Sequence, residues 1–259
     1  MSNTRDPIRL GMIVPSSNVT MERELPALIH AREQVFGERF SFHSSRVWMR
    51  SVTPAELAAM NAQATRAATE LADAEVAIAV YACLVAVMAE GMGAHRSAEA
   101  KLEAAFAEAG DPVPVVSSAG ALVDTLECLD ARRIALVAPY LPALTGKVCD
   151  YLGAEGVEVV ASRSLSVPDN PAVGRLDPDN LLAISDTLPR DVDLVVLSAC
   201  VQMPSLPALG AVEQRLGVPV ISAATATMYQ VLRRLGLSTH VPGGGHLLSG
   251  AFDPAVREG

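Results

Sequence analysis

Two cysteines, Cys83 and Cys200, each follow an alanine at the end of an apolar run, and the residues around one resemble those around the other. The runs are AEVAIAVYACLVAVM, starting at residue 74, and VDLVVLSACVQMPSL, starting at residue 192. A buried apolar run is typical of a parallel strand, and α/β proteins bind ligands where such strands end. Two thiols at matching positions of two similar halves predict a site between the halves, with sulfur on both sides of a small molecule.

Backbone N–H groups after each thiol are candidate hydrogen-bond donors to a bound anion. In the two halves they belong to Leu84 with Val85 and to Val201 with Gln202. A helix that begins at either point would lower the thiol pKa and would bind a carboxylate. A free cysteine most often serves as a small buried hydrophobe, and a pair matched across a repeat makes that explanation the weaker one.

Neutral hydrogen-bonding side chains follow other predicted strands. Asn18 ends the segment VPSSN, Tyr140 occupies the equivalent segment of the second half, and Asn170 ends PDN. Each of them alone is equally typical of a turn, a helix cap or a core position. None of the five histidines falls beside either thiol, which disfavours a Cys–His nucleophile pair.

Two other pairs of residues are better explained by structure than by chemistry. Cys128 and Cys149 lie within helical patterns and have no counterpart in the repeat. Arg46 and Arg163 match each other across the repeat but lie within strand patterns. We expect these arginines to form surface or structural ion pairs.

The similarity between the halves extends far beyond the cysteines. IRLGMIVPSSN, from Ile8, matches RIALVAPYLP, from Arg133, and VPVVSSAGALVDTL, from Val113, matches VPVISAATATMYQVL, from Val218. Apolar runs alternate with alanine-rich helical patterns, which indicates parallel strands joined by right-handed crossovers. We predict an α/β fold of two pseudo-symmetric, flavodoxin-like halves, each a four-stranded parallel sheet with helices on both faces and the site in the cleft between them.

The predicted strands and helices follow these patterns. The strands are 8–14, 40–48, 75–81, 113–116, 133–138, 157–165, 192–198 and 218–221. The helices are about 20–30, 54–72, 84–109, 119–129, 140–153, 178–188, 205–216 and 225–235. We assign residues 1–118 to the first half and 119–222 to the second, with 223–259 packing back on the first; the glycine-rich segment VPGGGHLLSGAF is predicted to be a loop.

Composition excludes several classes of function. The 259 residues carry a net charge of -9 without a basic stripe, which argues against a nucleic-acid partner. No apolar stretch has the length of a membrane span, and residues 1–7 lack the apolar core of a signal peptide, so we expect a cytoplasmic protein with reduced thiols. The cysteines lack zinc-site spacing, which predicts no metal site.

Taken together, five segments resemble the Asp/Glu racemase superfamily and, within it, the maleate cis-trans isomerase family. They are IVPSSNVTMERELPAL at 13–28, YACLVAVMAEG at 81–91, VAPY at 137–140, PDN at 168–170 and SACVQMPSL at 198–206. The resemblance implies an enzyme without cofactor or metal that converts maleate into fumarate through a succinyl-cysteine. It assigns Cys83 as nucleophile and Cys200 as proton donor and acceptor. The groups implied for the substrate carboxylates are Asn18, Tyr140, Asn170 and the backbone near Val85 and Val201.

Other functions remain open at this point. A racemase of amino acids or hydantoins would use the same two thiols as acid and base, although no carboxylate falls near the site to hold an ammonium group. An arylmalonate-type decarboxylase would need only the thiol of the second half. A non-catalytic module that binds dicarboxylates would use the cysteines for packing alone. We also expect a homodimer.

Overall fold

The computed structural model describes residues 6–253 and contains two four-stranded parallel sheets. The first has the order β2-β1-β3-β4 and the second the order β6-β5-β7-β8. The strands of the first sheet are β1 (Ile8–Pro15), β2 (Phe40–Val47), β3 (Ile78–Tyr81) and β4 (Val115–Ser117). Those of the second are β5 (Arg133–Ala138), β6 (Glu158–Ser164), β7 (Leu194–Ser198) and β8 (Val220–Ser222). The identical order in both sheets confirms the predicted duplicated α/β fold.

Ten α-helices connect the strands within the described residues. They are α1 (Met21–Arg32), α2 (Pro54–Ala72), α3 (Leu84–Met88), α4 (Ala94–Ala109), α5 (Ser118–Cys128), α6 (Pro142–Ala154), α7 (Asn170–Val173), α8 (Asn180–Ser185), α9 (Leu206–Leu216) and α10 (Ala223–Arg234). None of these described helices is both long and apolar enough to cross a membrane.

Two predicted helices differ from the observed ones. The helix predicted over 84–109 is divided into α3 and α4, because Gly91 and Gly93 between them have φ values of 116° and 69°. Such backbone angles favour glycine and end a right-handed helix. The helix predicted over 178–188 is shorter, since the Asp177 carboxylate accepts a hydrogen bond from the Asp179 N–H (3.0 Å) in a turn before α8.

Central strands of both sheets position the site. Strands β3 and β7 are buried along their whole length, and β1 and β5 are buried except at their first residues. Because neighbouring strands are parallel, the loops after β1 and β3 leave the same edge of the first sheet, and those after β5 and β7 leave the same edge of the second. These four loops carry Asn18, Cys83, Tyr140 and Cys200, respectively.

Helix α10 leaves the second sheet and packs against α5, α1, β3 and β4. The Thr227 hydroxyl donates to the Ser118 hydroxyl (3.1 Å), and the Gln230 side chain donates to the Thr125 hydroxyl (3.2 Å). The boundaries predicted for the two halves stay predictions. Within the glycine-rich tail, Leu247–Ser249 form a 3-10 turn with two buried leucines, and residues 254–259 lie outside the described part of the chain.

Candidate active site

Cys83 follows β3 and caps the start of α3. Its side chain is buried, with 3% of its surface exposed. Burial raises the pKa of the Cys83 thiol to about 12, although a hydrogen bond from the Ala86 backbone N–H opposes the shift, and nearby Cys200 raises it further. The sequence predicted the helix start correctly, but the expected lowering of the thiol pKa is wrong because desolvation outweighs it.

Cys200 follows β7 and is also buried. A turn, rather than the predicted repeat of the Cys83 helix start, comes next: the Met203 N–H donates to the Cys200 carbonyl (3.2 Å), and α9 begins only at Leu206. The Gln202 N–H nevertheless donates to Cys200 Sγ (3.4 Å). Burial raises the Cys200 pKa, and hydrogen bonds from the Tyr140 hydroxyl and the Gln202 and Met203 N–H groups oppose that rise.

Tyr140 follows β5 and brings a buried hydroxyl to the two thiols. Burial holds its pKa well above the ordinary value, and the hydrogen bond to Cys200 and the proximity of Cys83 contribute in the same direction. The hydroxyl therefore keeps its proton at neutral pH and acts as a hydrogen-bond donor. The three side chains thus interact electrostatically across the cleft between the halves.

Asn18 lies in the loop after β1 with 1% of its surface exposed. Its Oδ1 atom accepts from the Thr20 and Met21 N–H groups (2.9 and 3.0 Å), which caps α1. Its Nδ2 atom donates to the Val201 carbonyl (3.3 Å), next to Cys200. The side chain therefore serves both as the helix cap considered for this segment and as a link to the opposite half.

Asn170 begins α7, where the sequence indicated a turn, and it is buried. Its Nδ2 atom donates to the Ser17 hydroxyl (2.7 Å), and that hydroxyl donates to the Met49 carbonyl. The remaining predicted positions, Leu84, Val85 and Val201, are buried directly after the two thiols. The structure thus brings the predicted residues to one cleft, and their roles toward a substrate stay predictions.

The loop between β2 and α2 reaches across this cleft. Ser51 in that loop forms an antiparallel bridge with Asp169 of the second half. Both thiols lie below the surface in this closed arrangement.

Two residues support the site in ways that the sequence analysis did not predict. Arg46 was expected to form an ion pair and does so with Glu22, but it also donates to the Ser16 carbonyl (2.9 Å) and to the Asn18 carbonyl. Glu24 was not singled out, yet its buried carboxylate accepts from two backbone N–H groups of the other half. The position of Arg46 near the end of β2 could have indicated that its side chain reaches the loop after β1. No local pattern marks Glu24.

Among residues 6–253, no group of three His, Cys, Asp or Glu side chains has an arrangement suited to a metal ion. The candidate polar groups of the cleft are the two thiols, the Asn18 and Asn170 amides, the Tyr140 phenol and backbone N–H groups.

Comparison with known proteins places this site in a family. The profile of the arylmalonate decarboxylase family matches residues 10–248. A maleate isomerase from Alcaligenes faecalis is 53% identical over 244 residues, which cover 93% of this chain and 96% of the relative.

Solved structures agree with these matches. A cysteine-to-alanine variant of the maleate isomerase Iso from Pseudomonas putida S16, with maleate, superposes with a TM-score of 0.93 at 51% identity, covering 94% of this chain and 98% of that one. A cysteine-to-serine mutant of the Nocardia farcinica maleate cis-trans isomerase, with a covalently bound succinylcysteine intermediate, gives 0.90 at 48% identity over 93% and 98% of the two chains. The chain therefore belongs to the maleate isomerases, within the wider family that the arylmalonate decarboxylase profile describes.

Proposed function

We propose that this protein isomerises maleate to fumarate through a covalent succinyl-cysteine, without a cofactor. One observation carries the proposal: two buried thiols from equivalent positions of the two halves, together with the Tyr140 hydroxyl, meet at one cleft. The similarity to an isomerase in which a succinylcysteine intermediate is covalently bound supports the same chemistry here.

The first step removes the double bond. The Cys83 thiolate forms a bond to C2 of maleate while the π electrons at C3 take the proton of the Cys200 thiol. The products of this step are a succinyl-cysteine and a Cys200 thiolate. Because C2–C3 is now a single bond, it can rotate. Addition and elimination of the thiolate thus replace a direct rotation about the double bond, whose barrier is prohibitive.

The second step restores the double bond in the trans geometry. The Cys200 thiolate removes a proton from C3, the double bond forms again, and the bond between C2 and the Cys83 sulfur breaks. Both cysteines return to their initial protonation states. Trans geometry separates the two carboxylates, which favours fumarate at equilibrium.

Neutral donors suit the charge that develops during addition. The carboxylate next to C3 gains enediolate character, and fixed N–H and O–H groups stabilise such charge without reorganising. We assign this role to Asn18, Asn170, Tyr140 and the backbone N–H groups that follow each thiol. In the resting state the Cys83 pKa of about 12 keeps that thiol protonated. The cycle therefore begins when this proton passes to solvent, and the hydrogen bond from the Ala86 N–H stabilises the thiolate that remains.

The proposed site disfavours racemisation. An amino-acid substrate carries an ammonium group, and the Cys, Asn and Tyr side chains assigned here include no carboxylate to pair with it. A dianionic diacid instead matches donors that line both halves. We therefore retain isomerisation as the single proposed reaction.

Proton NMR tests the proposal directly. Maleate incubated with the purified protein should lose its signal while that of fumarate grows. Mass spectrometry of the quenched enzyme should find a succinyl adduct on the Cys83 peptide. Conversion that stops after treatment with a chelator, in protein that remains folded, would contradict the metal-free and cofactor-free assignment.

Two broader predictions accompany this function. We propose that the protein is a homodimer and is located in the cytoplasm. Sedimentation equilibrium tests the first, and fractionation of cells that produce the native protein tests the second.

A further inference from the structure

The side-chain amide of Gln202 is buried, and both of its ends are occupied by backbone groups from other loops. Its Nε2 atom donates to the Ser17 carbonyl (2.9 Å) and to the Asn170 carbonyl (3.1 Å). Its Oε1 atom accepts from the Val19 N–H (2.9 Å). Both donors of the amide are thus used, and none is left for a substrate.

The backbone of the same residue contacts the reacting region. Its N–H donates to Cys200 Sγ (3.4 Å), and its carbonyl accepts from the Thr20 hydroxyl (2.7 Å). One residue therefore joins three parts of the cleft: the loop that carries Asn18, the loop that carries Asn170, and Cys200 itself.

We propose that Gln202 is a positioning residue, which holds the amides of Asn18 and Asn170 at a fixed distance from the Cys200 thiol. The inference rests on the proposed function, because it assigns those amides to the substrate carboxylates. Gln202 acts through its neighbours: its side chain fixes where the carboxylates bind, and its backbone fixes where the proton is delivered. A displacement of about 1 Å in such a group can cost about 10²-fold in rate.

Two neighbouring features fit this role. A Cβ atom on Gly174 would lie 2.7 Å from Gln202 Nε2 and 3.2 Å from its Cδ, so the glycine leaves room for the amide. In the first half the equivalent position, two residues after the thiol, is Val85, which can form no side-chain hydrogen bonds. The arrangement is therefore specific to the half that contains the proposed proton-transfer cysteine.

The test replaces Gln202 with Met, which has similar length and forms none of the three hydrogen bonds. We expect kcat/KM for maleate to fall about 10²-fold, with both a higher KM and a lower kcat. Titration calorimetry with succinate measures binding alone, because this diacid has no double bond to react. Its Kd should rise at least tenfold.

A matched control is Gln230→Met. Gln230 is also buried, but its side chain donates to the Thr125 hydroxyl and so joins α10 to α5 rather than to a cleft loop. Both variants should lose thermal stability, whereas only Gln202→Met should weaken succinate binding. Equal losses of binding in the two variants would overturn the proposal, as would wild-type kcat/KM and succinate affinity in Gln202→Met.

A second variant tests the positioning role of Gln202 if Gln202→Met does not fold. Gly174→Ala retains Gln202 but forces its amide to move, so it should weaken succinate binding in the same direction. Unchanged binding in this variant would then overturn the proposal. Failure of the proposed function would be seen separately, because the wild-type protein would then not convert maleate. The succinate affinities of the variants would still test the role of Gln202.

Discussion

The two halves meet at two equivalent junctions that are held together in different ways. At the Cys200 junction, residues 17–24 of the first half face residues 200–206 of the second. Side chains and backbone form hydrogen bonds across it, from Asn18 to the Val201 carbonyl, from Thr20 to the Gln202 carbonyl, and from the Ser205 and Leu206 N–H groups to Glu24. Each is worth about 0.5–1.5 kcal/mol net, and more where a charge takes part.

At the Cys83 junction, residues 83–90 face residues 140–147. In the part of the chain that the structure describes, no hydrogen bond joins these two segments. Helices α3 and α6 pack there through apolar side chains and, with α2, line a cavity of about 240 Å³. Beside the Cys83 thiol the halves are therefore held by apolar packing, whereas hydrogen bonds join them beside Cys200. Further along α6, the His95 N–H donates to the Tyr151 hydroxyl (3.1 Å) and Arg96 forms an ion pair with Glu155 (2.7 Å), so the halves are linked on this side as well.

The largest effect should follow from replacing the thiol of the Cys83 junction. Cys83→Ser should abolish both isomerisation and the succinyl adduct, because a hydroxyl without an activating base is a poor nucleophile. NMR and mass spectrometry measure the two losses. Cys128→Ala and Cys149→Ala serve as controls and should retain near-normal turnover, since these cysteines lie outside the cleft. Substantial turnover by Cys83→Ser would refute its role as nucleophile.

The thiol of the Cys200 junction should matter less. Cys200→Ala should slow turnover by about 10²–10⁴-fold, the usual contribution of general acid–base catalysis. Cys83 remains able to add to maleate in this variant, and water can replace the missing proton donor slowly. Initial rates of isomerisation measured by NMR test whether Cys200 transfers the proton. A normal rate would remove Cys200 from the mechanism.

The pH dependence of alkylation distinguishes a buried thiol from an activated one. With a Cys83 pKa of about 12, the thiolate fraction rises about tenfold per pH unit below that value. The iodoacetamide rate at Cys83 should therefore rise about 100-fold from pH 7 to pH 9, and maleate should protect the site. Peptide mass spectrometry gives the rate at each cysteine. A plateau below pH 9 would mean that the thiol is activated in the resting enzyme.

The sequence predicted the two sheets and the edge at which the thiols lie, because apolar runs and an internal repeat are local patterns. It did not predict the sign of the Cys83 pKa shift, since the degree of burial depends on how the two halves close. The Gln202 amide contacts Ser17, a residue 185 positions away in the sequence. No spacing rule connects such positions, which explains why its hydrogen bonds were not foreseen.

The smallest effect concerns the stability of the Cys200 junction. Glu24 is buried, and its carboxylate accepts from the Ser205 and Leu206 N–H groups (2.7 and 2.8 Å). Glu24→Ala leaves these two donors without their acceptor, so it should lower the free energy of unfolding by about 1–3 kcal/mol. Urea denaturation measures this loss. Because the junction also carries Asn18, the KM for maleate should rise in the same variant.

Glu99→Ala is the matched control for this change. Glu99 accepts from the Ser117 N–H (2.8 Å) and hydroxyl (2.7 Å) within the first half, so its removal should cost similar stability and leave KM unchanged. An equal rise of KM in both variants would show that the effect arises from general destabilisation rather than from the junction.

The pH dependence of protein stability tests the Cys200 junction in a second way. Burial raises the pKa of Glu24 above its usual value, although backbone hydrogen bonds from Leu206 and Ser205 oppose the shift. Folded protein therefore binds more protons at this group than unfolded protein, so the stability from Glu24 is complete below the unfolded pKa and is lost as the pH rises through the folded one. Glu24→Gln does not titrate, and its stability relative to wild type should increase from pH 4.5 toward neutrality. A constant difference across that range would mean that the Glu24 carboxylate of the Cys200 junction is not desolvated, and the contrast between the junctions would then rest on hydrogen bonds alone.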